Sequence, residues 1–159
     1  MCVAEVEFAF RFGQDLPPQR RLLAAVAMLH PAIEIPDSRY QDLTIVGAPQ
    51  LIADNACANL FVLASTASHE WRRRNLALER PVGHISGRYE REGLGANVLG
   101  DPRLTLTWIV NELSAMGTTL TSGQVVTTGT CPAPLQIQPG DHVTGDFGDL
   151  GRVVARFVG

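Results

Sequence analysis

The chain predicts an α+β fold with a mostly β core and a few flanking helices. Three observations carry this. Short runs rich in β-branched and aromatic residues recur between Gly and Pro turns. A strong helix-start signal, Asp followed by Pro, occurs at Asp101-Pro102 and opens a long apolar-periodic stretch. Hydrophobic residues make up 45% and charged residues 18% of the 159 residues, the balance of a globular chain long enough to bury a core without staples. Residues 1–159 are expected to form one domain, with no internal repeat or low-complexity stretch.

The first strand runs from about Val3 to Arg11 and stops at Gly13. Side chains alternate faces along a strand, so Glu5 and Glu7 share one face while Val6, Phe8 and Phe10 share the other. Pro17-Pro18 then introduces a helix over Gln19–Leu29, with Leu22, Leu23, Val26 and Leu29 on one side. His30-Pro31 ends that helix and Ala32–Ile35 forms a second strand. A strand–helix–strand unit of this kind returns parallel to its first strand. Glu34 faces opposite to Ile33 and Ile35, which lets it share a surface with Glu5 and Glu7.

A loop-rich stretch follows from Asp37 to Gln50, then Asp54-Asn55 and the apolar run Leu60–Leu63. Leu76–Tyr89 holds one or two strands around Pro81-Val82-Gly83, and Gly93, Gly95 and Gly100 punctuate a turn region. The helix from Asp101-Pro102 passes through Trp108, Ile109 and Leu113 and is stopped by Gly117. Strands are expected at Gln124–Thr128, His142–Phe147 and Arg152–Val158, separated by Pro-bearing turns at Cys131–Pro134 and Pro139–Asp141.

A formal charge of -3 gives no electrostatic case for nucleic acid or an anionic membrane, and Arg72-Arg73-Arg74 is too short to alter that. Cys2, Cys57 and Cys131 are odd in number and far apart, the pattern of reduced thiols rather than of a disulfide framework or zinc site. His30, His69, His84 and His142 show no ligand spacing either. No apolar stretch approaches the roughly 18 residues of a membrane span, and no signal peptide is present, so a cytoplasmic location is expected.

Several residues offer chemistry. Converging carboxylates at Glu5, Glu7 and Glu34 suit a hard divalent cation, whereas Glu5-x-Glu7 alone also fits a solvated strand face. Asp54-Asn55 reads either as a substrate-orienting pair or as an Asx turn or helix cap. Cys57, among alanines, reads as a small buried hydrophobe. Thr127-Thr128-Gly129-Thr130 can bring hydroxyls and backbone N–H groups to an anion, or simply end a strand. Asp141, Asp146 and Asp149 lack the spacing of a calcium loop, and Gly93-x-Gly95 is no dinucleotide fingerprint.

Taken together, the segments Glu5–Phe10, His30–Arg39, Ala53–Ala56, Val98–Pro102 with Trp108, Ser122–Thr130, Pro139–Asp141 and Leu150–Val153 resemble, in order, the 2-oxopent-4-enoate hydratase family of the fumarylacetoacetate hydrolase-like superfamily. The resemblance implies a mixed β-roll core and Mg2+ or Mn2+ held by Glu5, Glu7 and Glu34. It implies a small-molecule 2-oxoacid as substrate and water addition to a 2-hydroxy-2,4-dienoate, giving a 4-hydroxy-2-oxoacid, a reaction of aromatic catabolism. The superfamily also contains 2-oxoacid decarboxylases and C–C hydrolases on the same chelate. Asp54, Asn55, Cys57 and Thr130 map onto positions lining the substrate pocket, with Cys57-Ala58 standing where many members carry a serine. Family members also carry an amino-terminal segment, ahead of the Glu-x-Glu strand, that supplies a lysine and an acidic residue for proton handling. All thirteen basic residues here are arginine, so the resemblance leaves the catalytic proton carrier unassigned. It allows a non-catalytic subunit, and it implies a homo-oligomer or a partner chain that completes the site.

Overall fold

A computed structural model describes residues 1–16, 22–65 and 68–158. The first strand, β1 (Val3–Phe12), lies where alternation placed it. Its even-numbered face, Val6, Phe8 and Phe10, is fully buried. The next elements depart from expectation. Only Leu22–Ala25 form a helix, α1, and β2 runs from Val26 to Ile35 straight through His30-Pro31. The first residues of the expected helix, Gln19–Arg21, lie outside the described residues. β2 pairs antiparallel with β1, which overturns the parallel crossover.

The physical reason lies in the ladder. Val26 and Leu29 are buried beside Phe12 and Phe10 as strand residues, and that cross-strand burial outweighs their helical spacing. Pro31 is accommodated because its missing N–H falls on the side of β3 (Leu60–Leu63), where regular pairing ends. The Ala64 N–H donates to the Pro31 carbonyl at 3.0 Å, and the Ala64 carbonyl is taken by the Nδ1–H of His30 at 3.0 Å. The neighbouring imidazole thus supplies the donor that proline lacks.

After α2 (Ala48–Ala53), a helix that begins within the end of the stretch expected to be loop, β3 pairs with β2. Then come β4 (Val82–Ile85), β5 (Tyr89–Glu92) and α3 (Pro102–Ala115). Asp101 caps α3 as its sequence predicts, accepting from the Arg103 N–H at 2.8 Å. β6 (Val125–Thr130), β7 (Leu135–Gln136), β8 (His142–Asp146) and β9 (Arg152–Arg156) complete the order.

Two sheets result: β3-β2-β1-β6 with β7 also on β1, and β5-β4-β8-β9. Their pairings among the described residues are antiparallel. The core between them gathers Val6, Phe8, Phe10, Leu29, Ile33, Trp71, Ile85, Leu135 and Val143. Phe8 meets Phe147 edge to face at 5.0 Å, and Phe10 meets Trp71 at 5.4 Å. The sheets approach closely over Val6. A Cβ at Gly83 would lie 2.8 Å from Leu135 and 3.2 Å from Val6, and one at Gly145 would lie 3.0 Å from Val6. This is an α+β fold, and its odd-numbered β1 face is left to carry the polar groups.

Candidate metal centre

Antiparallel pairing sets Glu5 directly opposite Glu34, with Glu7 one pleat along opposite Ala32. Directly opposed residues share a face, so the three carboxylates converge. One oxygen from each lies within 4.8 Å of the others. Glu7 is 1% exposed, and Glu5 and Glu34 are half-buried. None of the salt bridges among the described residues involves these three groups. The sequence reading of a shared carboxylate face therefore holds, although it reached that face through the wrong strand direction.

A like-charge cluster out of water favours protonation. Burial raises the Glu5 carboxyl above 4.5, and Glu34 adds to this. Burial likewise raises Glu34. Glu7 is pushed up to about 7, chiefly by burial, with Glu34 and Glu5 adding to it; hydrogen bonds from Gly129 and Thr127 pull the other way.

Those donors come from a bulge in β6. Glu7 sits opposite Thr130 and Ala9 opposite Thr127, so three steps of β6 face two of β1. Gly129 takes a φ of 104°, which glycine alone adopts readily, and turns its N–H off the ladder onto Glu7 Oε2 at 2.9 Å. The anion that the Thr-Thr-Gly-Thr run serves is thus Glu7. Thr130 stands beside Glu7 but donates its hydroxyl to the Pro132 carbonyl at 2.8 Å.

Asp54 is 5% exposed and committed within the fold. Its carboxylate accepts from Ser38 Oγ at 2.5 Å and from Arg39 Nε at 2.6 Å. These bonds, Ser38 first, hold its pKa below the usual range. Asn55, Ala56 and Cys57 follow with φ of 55°, 51° and 57°, three non-glycine residues in the left-handed region. The Asp37 N–H donates to the Cys57 carbonyl at 2.9 Å and ties this turn to the end of β2. Cys57 is half-buried, and its thiol is raised by burial and then by the charges of Glu34 and Glu5. Asn55 is exposed and lines a polar groove of about 350 Å³ with Ser38, Arg39, Asp54 and Asn59. Cys131, which sequence reasoning left aside, is buried near Glu7 and its thiol is pushed up to about 12 by burial and by that carboxyl.

No family model matches the chain. It is 31% identical over 157 residues to 2-keto-4-pentenoate hydratase from Paraburkholderia xenovorans strain LB400, covering 96% of this chain and 58% of that protein. It is 30% identical over 142 residues to 4-oxalocrotonate decarboxylase from Pseudomonas sp. strain CF600, covering 87% of this chain and 52% of that one. The chain is a relative of the 2-keto-4-pentenoate hydratases and 4-oxalocrotonate decarboxylases. The solved structure of 4-oxalocrotonate decarboxylase from Pseudomonas putida G7, complexed with magnesium and adipate, superposes with a TM-score of 0.86 at 28% identity, covering 98% of this chain and 60% of that one. The shared architecture is the fumarylacetoacetate hydrolase-like fold. The chain spans between half and two thirds of the length of the relatives it matches. Among the described residues, no helix is long and apolar enough to cross a membrane.

Proposed function

We propose that this chain carries the metal platform of a 2-oxoacid enzyme, with Glu5, Glu7 and Glu34 holding Mg2+ or Mn2+ and water addition to a 2-hydroxy-2,4-dienoate as its reaction. The observation that carries the reading is the convergence of three shielded carboxylates with, among the described residues, no salt-bridged cation on any of them. Oxygen donors of this kind fit a hard divalent cation, which would also offset the burial and the carboxylate repulsion that together raise Glu7. When bound, such an ion supplies Lewis-acid stabilisation of charge on the 2-oxo oxygen of a chelated 2-oxoacid.

The protein's own part is positioning. Gly129 and Thr127 fix the Glu7 carboxylate, and pairing of β1 with β2 fixes Glu5 against Glu34. The left-handed turn at Asn55–Cys57 is anchored through Asp54 and tied to the end of β2, the strand that carries Glu34. Asn55, Cys57 and Thr130 belong to the proposed substrate surroundings, and Asp54 serves by holding the turn. A decarboxylase reading rests on the likeness to the Pseudomonas putida G7 enzyme.

Calorimetry with Mn2+ and oxalate, followed by turnover of 2-hydroxypenta-2,4-dienoate, tests the proposal. Glu34→Ala is expected to weaken Mn2+ binding by more than about 100-fold, since loss of even an outer partner costs 10–100-fold. Release of CO2 from 4-oxalocrotonate without hydration would assign the decarboxylase reaction instead. No Mn2+ binding by the unaltered chain would overturn both.

A further inference from the structure

The carboxylate face continues beyond the cluster. Opposed pairs on β1 and β2 run Glu5–Glu34, Glu7–Ala32 and Ala9–His30, all on one side of the sheet. Glu7 therefore has two diagonal neighbours on β2, Glu34 and His30, and the residues directly opposite Glu7 and His30 are the small Ala32 and Ala9. Such diagonals span about 7–8 Å, within reach of long or aromatic side chains. His30 is 5% exposed.

Its two nitrogens differ in kind. Nδ1 faces the Ala64 carbonyl at 3.0 Å, and a carbonyl can only accept, so Nδ1 carries hydrogen. In the neutral ring that leaves a lone pair on Nε2, which has no partner among the described residues. Trp71 Nε1 and Thr105 Oγ1 are also buried without partners among the described residues, but neither belongs to a strand of the carboxylate sheet. The structural need created by Pro31 is met wholly by Nδ1. It does not account for a buried acceptor at Nε2, whose desolvation costs stability unless something occupies it.

The geometry points to His30 as the proton carrier of this site, with Nε2 exchanging a proton with C3 of the 2-oxoacid. The inference rests on the proposed 2-oxoacid chelation by Glu5, Glu7 and Glu34. In the forward step the C3–H bond breaks and its electron pair forms the C2–C3 double bond. The carbonyl pair moves onto the 2-oxo oxygen, and Nε2 gains the proton; the reverse step returns it to C3. A neutral imidazole with Nδ1–H held by a backbone carbonyl is suited to this task, because the held tautomer aims a lone pair from Nε2.

His30→Asn separates the two nitrogens, since the Asn amide can still donate to Ala64 while nothing stands at Nε2. The experiment follows deuterium entry into the methyl group of pyruvate in D2O with Mg2+, by proton NMR, alongside calorimetry of oxalate binding. His30→Asn is expected to bind oxalate like the unaltered chain and to exchange at least about 100-fold more slowly, the lower end of general-base effects. His30→Gln, which restores bulk but cannot carry the proton, is expected to show the same loss and covers the case in which the Asn variant misfolds. In the unaltered chain the His30 Nε2 nitrogen resonance is expected to move when Mg2+ and oxalate are added. Exchange at the unaltered rate in either folded variant would overturn the inference, as would oxalate binding with no exchange in the unaltered chain. Parallel loss of oxalate binding would reduce His30 to a structural part. No oxalate binding by the unaltered chain would instead remove the chelation reading beneath it.

Discussion

Raising the pH of the metal-free protein from about 4.5 to 7 is expected to destabilise it. Glu7 is raised from 4.5 to about 7 by burial and its carboxylate neighbours. Through that window the unfolded chain has released the Glu7 proton while the folded chain still holds it. Folding then binds more protons than unfolding, so stability is full below the unfolded value and is lost as pH rises through the folded one. At about 1.4 kcal/mol per pH unit, the rise amounts to about 3 kcal/mol. Glu5 and Glu34 are raised as well and act in the same direction. Asp54, Asp101 and Asp146 are lowered, so their contributions fade only under more acidic conditions. For a chain of this size, about 3 kcal/mol corresponds to a fall in Tm of roughly 6–12 °C. Thermal unfolding in EDTA at pH 5, 6, 7 and 8 reads this directly, and Glu7→Gln should flatten the slope. Mn2+ at about 100 times its Kd should return about 2.7 kcal/mol at pH 8. A Tm in EDTA that is flat or rises over this range, or a Glu7→Gln slope equal to that of the unaltered chain, would refute the reasoning.

Three further outcomes test the frame around the site. Ala56→Gly relieves a left-handed residue, φ 51° and ψ 37°, and should stabilise by roughly 0.5–1 kcal/mol in urea unfolding, strain relief exceeding the entropy cost of glycine. Gly95→Ala should cost at least about 3 kcal/mol by the same measurement, because its Cβ would fall 1.8 Å from the Leu76 carbonyl oxygen. Asp101→Ala removes the α3 cap and should cost about 1 kcal/mol, with faster amide exchange at Arg103.

What could be read in the sequence follows from how local each signal is. The Glu5/Glu7 face and the capped helix at Asp101-Pro102 depend on alternation and capping, which neighbouring residues determine. β3, at Leu60–Leu63, was likewise legible as an apolar run. The course of the chain from Leu22 to Ile35 was not. Leu22, Leu23, Val26 and Leu29 fit a helical period and Pro31 reads as a breaker. The outcome turned on the strand edge at Ala64, about 33 residues beyond Pro31, and on the adjacent His30 imidazole that donates to it, a pairing that periodicity does not encode. Asp54 was ambiguous between turn and substrate contact because its partners Ser38 and Arg39 are distant in sequence. The Gly129 bulge had a visible signal, a glycine inside a threonine-rich strand, but the carboxylate it serves lies across the sheet.

The close approach of the sheets over Val6 has a mechanical consequence. Val6 lies between Glu5 and Glu7 in sequence, and its side chain is wedged against Gly83 and Gly145. β1 therefore cannot slide or swivel to let its two carboxylates drift apart without forcing the sheets open. The repulsion falls on a strand that is paired on both sides and packed closely against the second sheet, which opposes any spreading of the cluster. An arriving cation would meet ligands already in place, and the protein would yield to it only a proton.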